Sequence, residues 1–219
     1  MPDLQSNKER WLVVHKYALT DDELEVLTDN PVTEAKDWSK PIYKTIRDNI
    51  RQHYFTLQNG TCCYCRLPIN EGTGSVEIEH IIDKNRRTDF TFEPKNLLVS
   101  CHKCNFNKST SKVMHTCPEL ATYPNNSNDF MIIQGHFDDY FQHIEFLADS
   151  TYHALTDEGV FTINTCKLNR LGLAGQRERV LMYEDDDIVA DVIDIRNAEN
   201  PNQKIDELIN KLKGIIDNN

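Results

Sequence analysis

Apolar residues along this chain recur in two rhythms, and the change from one to the other marks its predicted elements. After Ser39 and Pro41, Ile42, Ile46 and Ile50 repeat every four residues, with Lys44, Arg47 and Arg51 on the polar side. This spacing predicts a helix opened by Pro41 at its first position and stopped near Leu57 by the Asn59-Gly60 turn signal. From Ser75 to Ile82 the period is two: Val76, Ile78 and His80 alternate with Glu77, Glu79 and Ile81, which predicts a strand with unlike faces. Asn96-Leu97-Leu98-Val99-Ser100 leads an apolar run into Cys101, and a helix is expected to begin at Asn105 and reach about Lys112. Nearer the start, Asp21 to Leu27 reads as a short helix.

Beyond residue 116 the pattern weakens. Cys117 to Asp129 is rich in Pro, Asn and Ser and reads as a linker. An aromatic stretch from Phe137 to Phe146 is expected in the core, and Val160-Phe161-Thr162-Ile163 reads as a strand. A helix is expected after Asn169, and Asn200-Pro201 opens a last amphipathic helix with Ile205, Leu208, Ile209, Leu212 and Ile216 on its apolar stripe. Glu71 to Gly74 reads as a loop and Glu184 to Asp187 as a solvated turn. The expected organisation is an acidic N-terminal extension over 1–39, a central domain over 40–116 and an acidic, mainly helical region over 130–219.

The chain has 219 residues, of which 39% are hydrophobic, enough for one generous folded domain and too many for a disordered chain. No apolar run is long enough to span a bilayer, and Met1 to Lys8 lacks the basic-then-apolar pattern of a secretory signal. A cytoplasmic location is therefore expected, where seven cysteines would stay reduced. The net charge of -11 argues against nucleic-acid binding until its distribution is considered. Residues 40–112 hold 12 basic and 7 acidic side chains, while the remainder holds 12 basic against 28 acidic. The central segment is locally basic, and its modest excess suggests that a partner helps to hold a polyanionic substrate.

Two Cys-x-x-Cys pairs, Cys62/Cys65 and Cys101/Cys104, stand 35 residues apart. Each such pair can turn two sulfurs toward one ion, and two pairs complete a four-thiolate tetrahedron for Zn2+. Cys62 is preferred to Cys63 because Cys63-x-Cys65 makes a poorer knuckle. A closed four-sulfur site leaves no open position, so one zinc ion is expected to hold structure only. Cys63, Cys117 and Cys166 are left as small buried hydrophobes. Between the pairs, Glu79 and His80 are adjacent on the predicted strand, so one can bind a cation while the other reaches a water. Asn105 follows Cys104 and is expected near an ion held by Glu79. Phosphodiester hydrolysis needs such a set: an activated water, a cation at the phosphate and stabilisation of the leaving oxygen.

The ordered string Cys62-x-x-Cys65, Glu79-His80-Ile81-Ile82, Asn96-Leu97-Leu98-Val99-Ser100-Cys101-x-x-Cys104-Asn105-x-x-Lys108 resembles the zinc-stapled HNH endonucleases. The resemblance implies an α+β fold: a ββα-metal core stapled by the four cysteines, with helical N-terminal and mainly helical C-terminal extensions. It implies His80 as general base, Glu79 as acidic ligand of one catalytic Mg2+ or Mn2+, and Asn96 as the residue that pins the loop orienting the base. Asn105 matches the third position as a second metal ligand, an Asn where many members carry His. His102, inside the second knuckle, is a rival ligand. Arg86, Arg87 and Lys108 are candidate phosphate contacts. More loosely, His136 to Ile144, Thr162-Ile163, Lys167-Leu168-Asn169-Arg170-Leu171 and Arg177 are similar to the HNH subunits of Septu-type and retron-associated antiphage systems, which work beside an ABC-type ATPase subunit. His136 and His143 are expected to pack rather than to bind metal.

DNA is the expected substrate, and RNA stays open because the attacking group is water in both cases. A zinc-ribbon module that grips nucleic acid or protein without catalysis is the competing class. The acidic C-terminal region is expected to dock an ATPase partner.

Overall fold

The computed structural model describes residues 11–13, 15–69, 75–115, 121–147, 151–173, 195 and 201–217. Residues 10–174 gather into one compact unit, and residues 1–9 with 175–219 into a second.

The first helix, α1 (Asp21–Asp29), starts at a capping box: Thr20 Oγ1 accepts from Glu23 N, and the Glu23 carboxylate accepts from Thr20 N. Glu23 is buried and also accepts from Tyr17 Oη and from Asn49 Nδ2. One carboxylate thus ties the N-terminal segment to the next helix, α2 (Lys44–Leu57). A 3-10 turn, Pro41–Tyr43, precedes α2. Its tighter winding rotates Ile42 outward, so the expected four-residue stripe loses its first member: Ile42 is exposed, and Tyr43 joins Ile46, Ile50 and Tyr54 in the core. Asn59 and Gly60 both take positive φ after α2, the conformation an Asn-Gly pair adopts at least cost.

Strands β1 (Val76–His80) and β2 (Leu97–Cys101) pair antiparallel, with Val76 opposite Cys101 and His80 opposite Leu97. β2 is buried along its whole length. Helix α3 (His102–Lys108) follows β2 without a connecting loop and begins three residues earlier than expected. It runs back along β1, so its first turn lies level with Glu77 and its last with Glu79.

A hairpin of β3 (Ile144–Phe146) and β4 (Tyr152–Ala154) follows. The expected strand over Val160 to Ile163 is instead the middle of helix α4 (Asp157–Cys166). Thr156 Oγ1 caps it by accepting from Gly159 N, and Asp157 and Glu158 occupy its first turn, where carboxylates favour a helix. Gly159, Thr162 and Cys166 are its buried residues, a helical rather than an alternating spacing. These cap and packing contacts outweigh the β preference of four residues.

The expected boundary at 117–129 is not where the chain divides. Tyr140 Oη donates to Tyr64 O (2.7 Å) and Tyr152 Oη to Cys65 O (2.5 Å), so aromatic residues from beyond it close over the first knuckle. The N-terminal segment is equally integral: Val13 N donates to Gly135 O, and Trp11 N to Asp139 Oδ1. In the second unit, α5 (Pro201–Asp217) opens at the expected Pro201, with Ile205 and Ile209 exposed. Residues 171–173 are helical, and the remainder of the helix expected after Asn169 lies outside the described residues, as do Glu71 to Gly74, Cys117, Arg177 and Glu184 to Asp187. No helix among the described residues is long and apolar enough to cross a membrane.

Candidate metal centre and catalytic face

Backbone turns bring the two cysteine pairs together. Cys62 N donates to Leu67 O and Arg66 N to Cys62 O, closing the first knuckle, and Arg66 takes a positive φ of 56° to complete it. The second knuckle is the junction of β2 and α3, so Cys101 ends a strand and Cys104 sits one helical turn later. The four sulfurs of Cys62, Cys65, Cys101 and Cys104 all lie within 4.8 Å of one another and all four residues are buried. Sulfurs around a tetrahedral zinc at ~2.3 Å stand about 3.8 Å apart, so this cluster fits such an ion with small adjustment. Cys63 is buried but outside the cluster, with its N–H donated to Val99 O; Cys166 is likewise buried and free.

Beside this centre, β1 presents Glu77 and Glu79 to α3 and His80 to the other side. His80 is buried, and its Nε2 lies 3.1 Å from Thr91 O. A carbonyl can only accept, so Nε2 carries the proton in the neutral ring and Nδ1 keeps the lone pair. Burial, with help from the charges of Lys84 and Lys108, pushes the imidazole down to about 3, which leaves it neutral at ordinary pH. Trp38 sets its ring edge-on to His80 at 4.6 Å and leans on Phe92 at 4.9 Å, covering the imidazole. Arg47 fixes Trp38 by donating to its carbonyl.

Asn96 closes the loop between β1 and β2. Its Oδ1 accepts from Ile82 N at 2.7 Å, and its Nδ2 donates to Ile82 O and Phe90 O, each at 3.0 Å. One fully buried side chain thus fixes Ile82 and Phe90, and Phe90 immediately precedes Thr91, the residue whose carbonyl holds His80.

Glu79 is wholly buried. Its Oε1 takes the Lys108 ammonium at 2.5 Å and Tyr64 Oη at 3.0 Å, while Oε2 has no hydrogen-bond partner among the described residues. Burial raises its carboxyl above the ordinary range against the opposing pull of Lys108 and Tyr64. Asn105 does not meet Glu79: its Nδ2 donates to Glu77 Oε2 at 2.6 Å, while His102 Nδ1 lies 2.7 Å from Glu77 Oε1. The reason is the register of α3 on β1, which levels 102 and 105 with Glu77 and brings Lys108 to Glu79.

The expected phosphate contacts are placed differently from one another. Lys108 is buried, committed to Glu79 and to His80 O at 2.7 Å, and is not presented to a substrate. Arg86 is exposed but donates twice to Thr110 O, and Arg87 forms a two-point pair with Asp89 while covering the Phe90 ring. His136 and His143 serve packing contacts, to Leu97 O and Thr156 Oγ1. Sequence reasoning missed Tyr64, Trp38 and Glu77. Tyr64 lies within the first Cys-x-x-Cys pair and Glu77 on the alternating strand, so both could have been found by position. Trp38 had no signal beyond being a tryptophan in a polar segment.

These features define an α+β protein with a buried four-cysteine cluster that could hold a metal ion, beside a strand-borne Glu-His pair. No family model matches the chain. It is similar to Septu protein PtuB of Bacillus thuringiensis, with 30% identity over 73 residues, a stretch that covers 33% of this chain and 26% of that protein. The match thus spans about a quarter of the relative's length.

Proposed function

We propose that this protein is a metal-dependent HNH-type endonuclease that hydrolyses phosphodiester bonds in DNA as part of a Septu-type antiphage defence system. The observation that carries the reading is the chain of contacts from Asn96 through its loop to Thr91 O and His80. It holds a neutral imidazole in one tautomer with the Nδ1 lone pair free, the protonation state from which a general base acts, and relief of its burial on substrate binding would raise its basicity. The similarity to a Septu protein supports the defence setting. In this reading one zinc ion sits on Cys62, Cys65, Cys101 and Cys104, and an ABC-type ATPase is the partner.

A hard divalent ion, Mg2+ or Mn2+, would supply Lewis acidity at the phosphate when bound. The unpartnered Oε2 of Glu79 suits such an ion, while Asn105, the expected second ligand, is held at Glu77 and would have to leave that carboxylate to join it. His80 takes the proton of the attacking water at Nδ1, Thr91 O orients the ring, and Asn96 keeps that carbonyl in place. Lys108, bonded to both Glu79 and His80 O, positions the pair of residues. Arg86 is the side chain best exposed for a phosphate, after giving up its contact with Thr110.

The buried Glu79–Lys108 pair and the Trp38 cover favour a second reading, a zinc-ribbon binding module without catalysis. Plasmid nicking with Mg2+ or Mn2+, by the protein alone and with the copurified ATPase, separates the two. A nuclease is expected to lose about 100-fold or more on His80→Ala, the range for a lost general base. Unchanged nicking in His80→Ala would sink the assignment of His80, and binding without cleavage in every preparation would establish the module. Cleavage of RNA but not of plasmid would move the substrate class. Comparing Glu79→Gln with Glu77→Gln tests which β1 carboxylate carries the cation.

A further inference from the structure

The corner after α4 reaches back to the cysteine cluster. Lys167 closes the helix in the left-handed conformation, with φ 51° and ψ 51°, and Leu168 N returns to Ile163 O. Asn169 then grips Tyr152 at both backbone groups: Oδ1 accepts its N–H at 2.8 Å and Nδ2 donates to its carbonyl at 2.9 Å. Tyr152 in turn donates to Cys65 O. The next residue, Arg170, points its guanidinium at the other knuckle. Nη1 and Nη2 lie 3.8 and 3.7 Å from Cys104 Sγ, and Nη1 also donates to Cys166 O and Lys167 O, each at 3.1 Å.

Four thiolates around one Zn2+ carry a formal charge of about -2, and burying that charge unrelieved is costly. The polypeptide can spread it through N–H···S hydrogen bonds and nearby cations. Among the described residues, Tyr64 N donates to Cys62 Sγ at 3.4 Å, and Arg170 supplies the donors to Cys104. Arg66, inside the first knuckle, adds a second guanidinium, stacked 3.7 Å over the Trp11 ring with Nη1 toward Cys62 O. A planar guanidinium suits this role better than an ammonium because it can serve one sulfur and two carbonyls at once.

We propose that Arg170 is a positioning residue of the zinc centre: its guanidinium stabilises the Cys104 thiolate and makes bound zinc the clasp that holds α4 and its corner on the knuckles. The proposal rests on the four-cysteine site holding zinc. It assigns a task to a side chain 66 positions away from its partner, in a region the sequence places in a different domain.

The test measures zinc content of the purified full chain and its rate of zinc transfer to a chromogenic chelator. The proteins compared are wild type, Cys104→Ser and Arg170→Lys, →Gln and →Ala. Wild type is expected to hold one zinc, and Arg170→Gln and →Ala to release it about 10- to 100-fold faster, the usual effect of losing a hydrogen-bond partner of a metal ligand. Arg170→Lys is expected to fall between them and wild type, because it restores the charge but not the fork. Stripping zinc from wild type is also expected to open 157–173 to trypsin. If Gln releases zinc within about threefold of wild type, or Lys and Gln behave alike, the guanidinium has no role at the metal and the proposal falls while the zinc assignment stands. If wild type carries no zinc and Cys104→Ser matches it, both fall together. Should Arg170→Ala not fold, the comparison of Lys with Gln decides the question.

Discussion

Lys108 shows how one side chain can be both the support and the constraint of a site. Its ammonium lies between Glu79 Oε1 and His80 O, with almost none of the residue exposed. Removing it would leave a buried carboxylate whose remaining donor is Tyr64 Oη. Lys108→Ala is expected to lose about 3–5 kcal/mol, the usual consequence of breaking a buried pair on one side. Denaturant unfolding measures this, and a loss under about 1 kcal/mol would mean that water or a cation replaces the ammonium easily. Trp38 controls access to the same strand. Because its ring covers His80, Trp38→Ala is expected to make His80 much more reactive toward diethylpyrocarbonate, read by peptide mass mapping. Equal labelling in both proteins would show that the tryptophan does not gate the imidazole.

At the level of elements, α4 rests on a close approach of helix to hairpin that only glycine permits. A Cβ at Gly159 would stand 2.1 Å from His143 O, a backbone atom that cannot swing aside. Gly159→Ala is therefore expected to destabilise by about 1–3 kcal/mol or to push α4 off the hairpin. A melting temperature unchanged from wild type would show that the helix can shift without loss. The same element explains why the run Val160 to Ile163 misleads as a strand. Thr156, Asp157 and Glu158 form a helix start, and the cysteine at 166 and threonine at 162 complete a buried face with Gly159. For β1 the alternation was sufficient, since a two-stranded pair with unlike faces leaves each residue's side fixed by parity. Which carboxylate meets Asn105 depended on the register of α3, which parity does not specify.

For the whole molecule, the segments that look like extensions complete the core. Tyr140 and Tyr152 donate to knuckle carbonyls, Trp11 stacks on Arg66, and Glu23 spans from α1 to α2. A chain ending at residue 116 is therefore expected to stay unfolded with zinc present, whereas one ending at 174 is expected to fold, as read by circular dichroism and zinc content. Cooperative folding of the shorter chain would restore the boundary expected from composition. If the proposed ATPase docks on the acidic remainder, removal of 199–219 is expected to weaken its copurification, and an undiminished complex would mean that the helix does not carry the docking.

The sequence alone determined which four sulfurs come together and the strand carrying Glu79 and His80, and its resemblance to the HNH endonucleases implied the loop anchor at Asn96. The first two follow from short spacings, because a Cys-x-x-Cys turn and a strand's alternation are local geometry. Only the tertiary structure decided that Lys108 neutralises Glu79, that Trp38 covers His80 and that Arg170 reaches Cys104. Those contacts join residues 29 to 66 positions apart and depend on how a helix seats on a strand and where a corner turns back. No local pattern encodes them, because packing of the whole core fixes the register from which they follow.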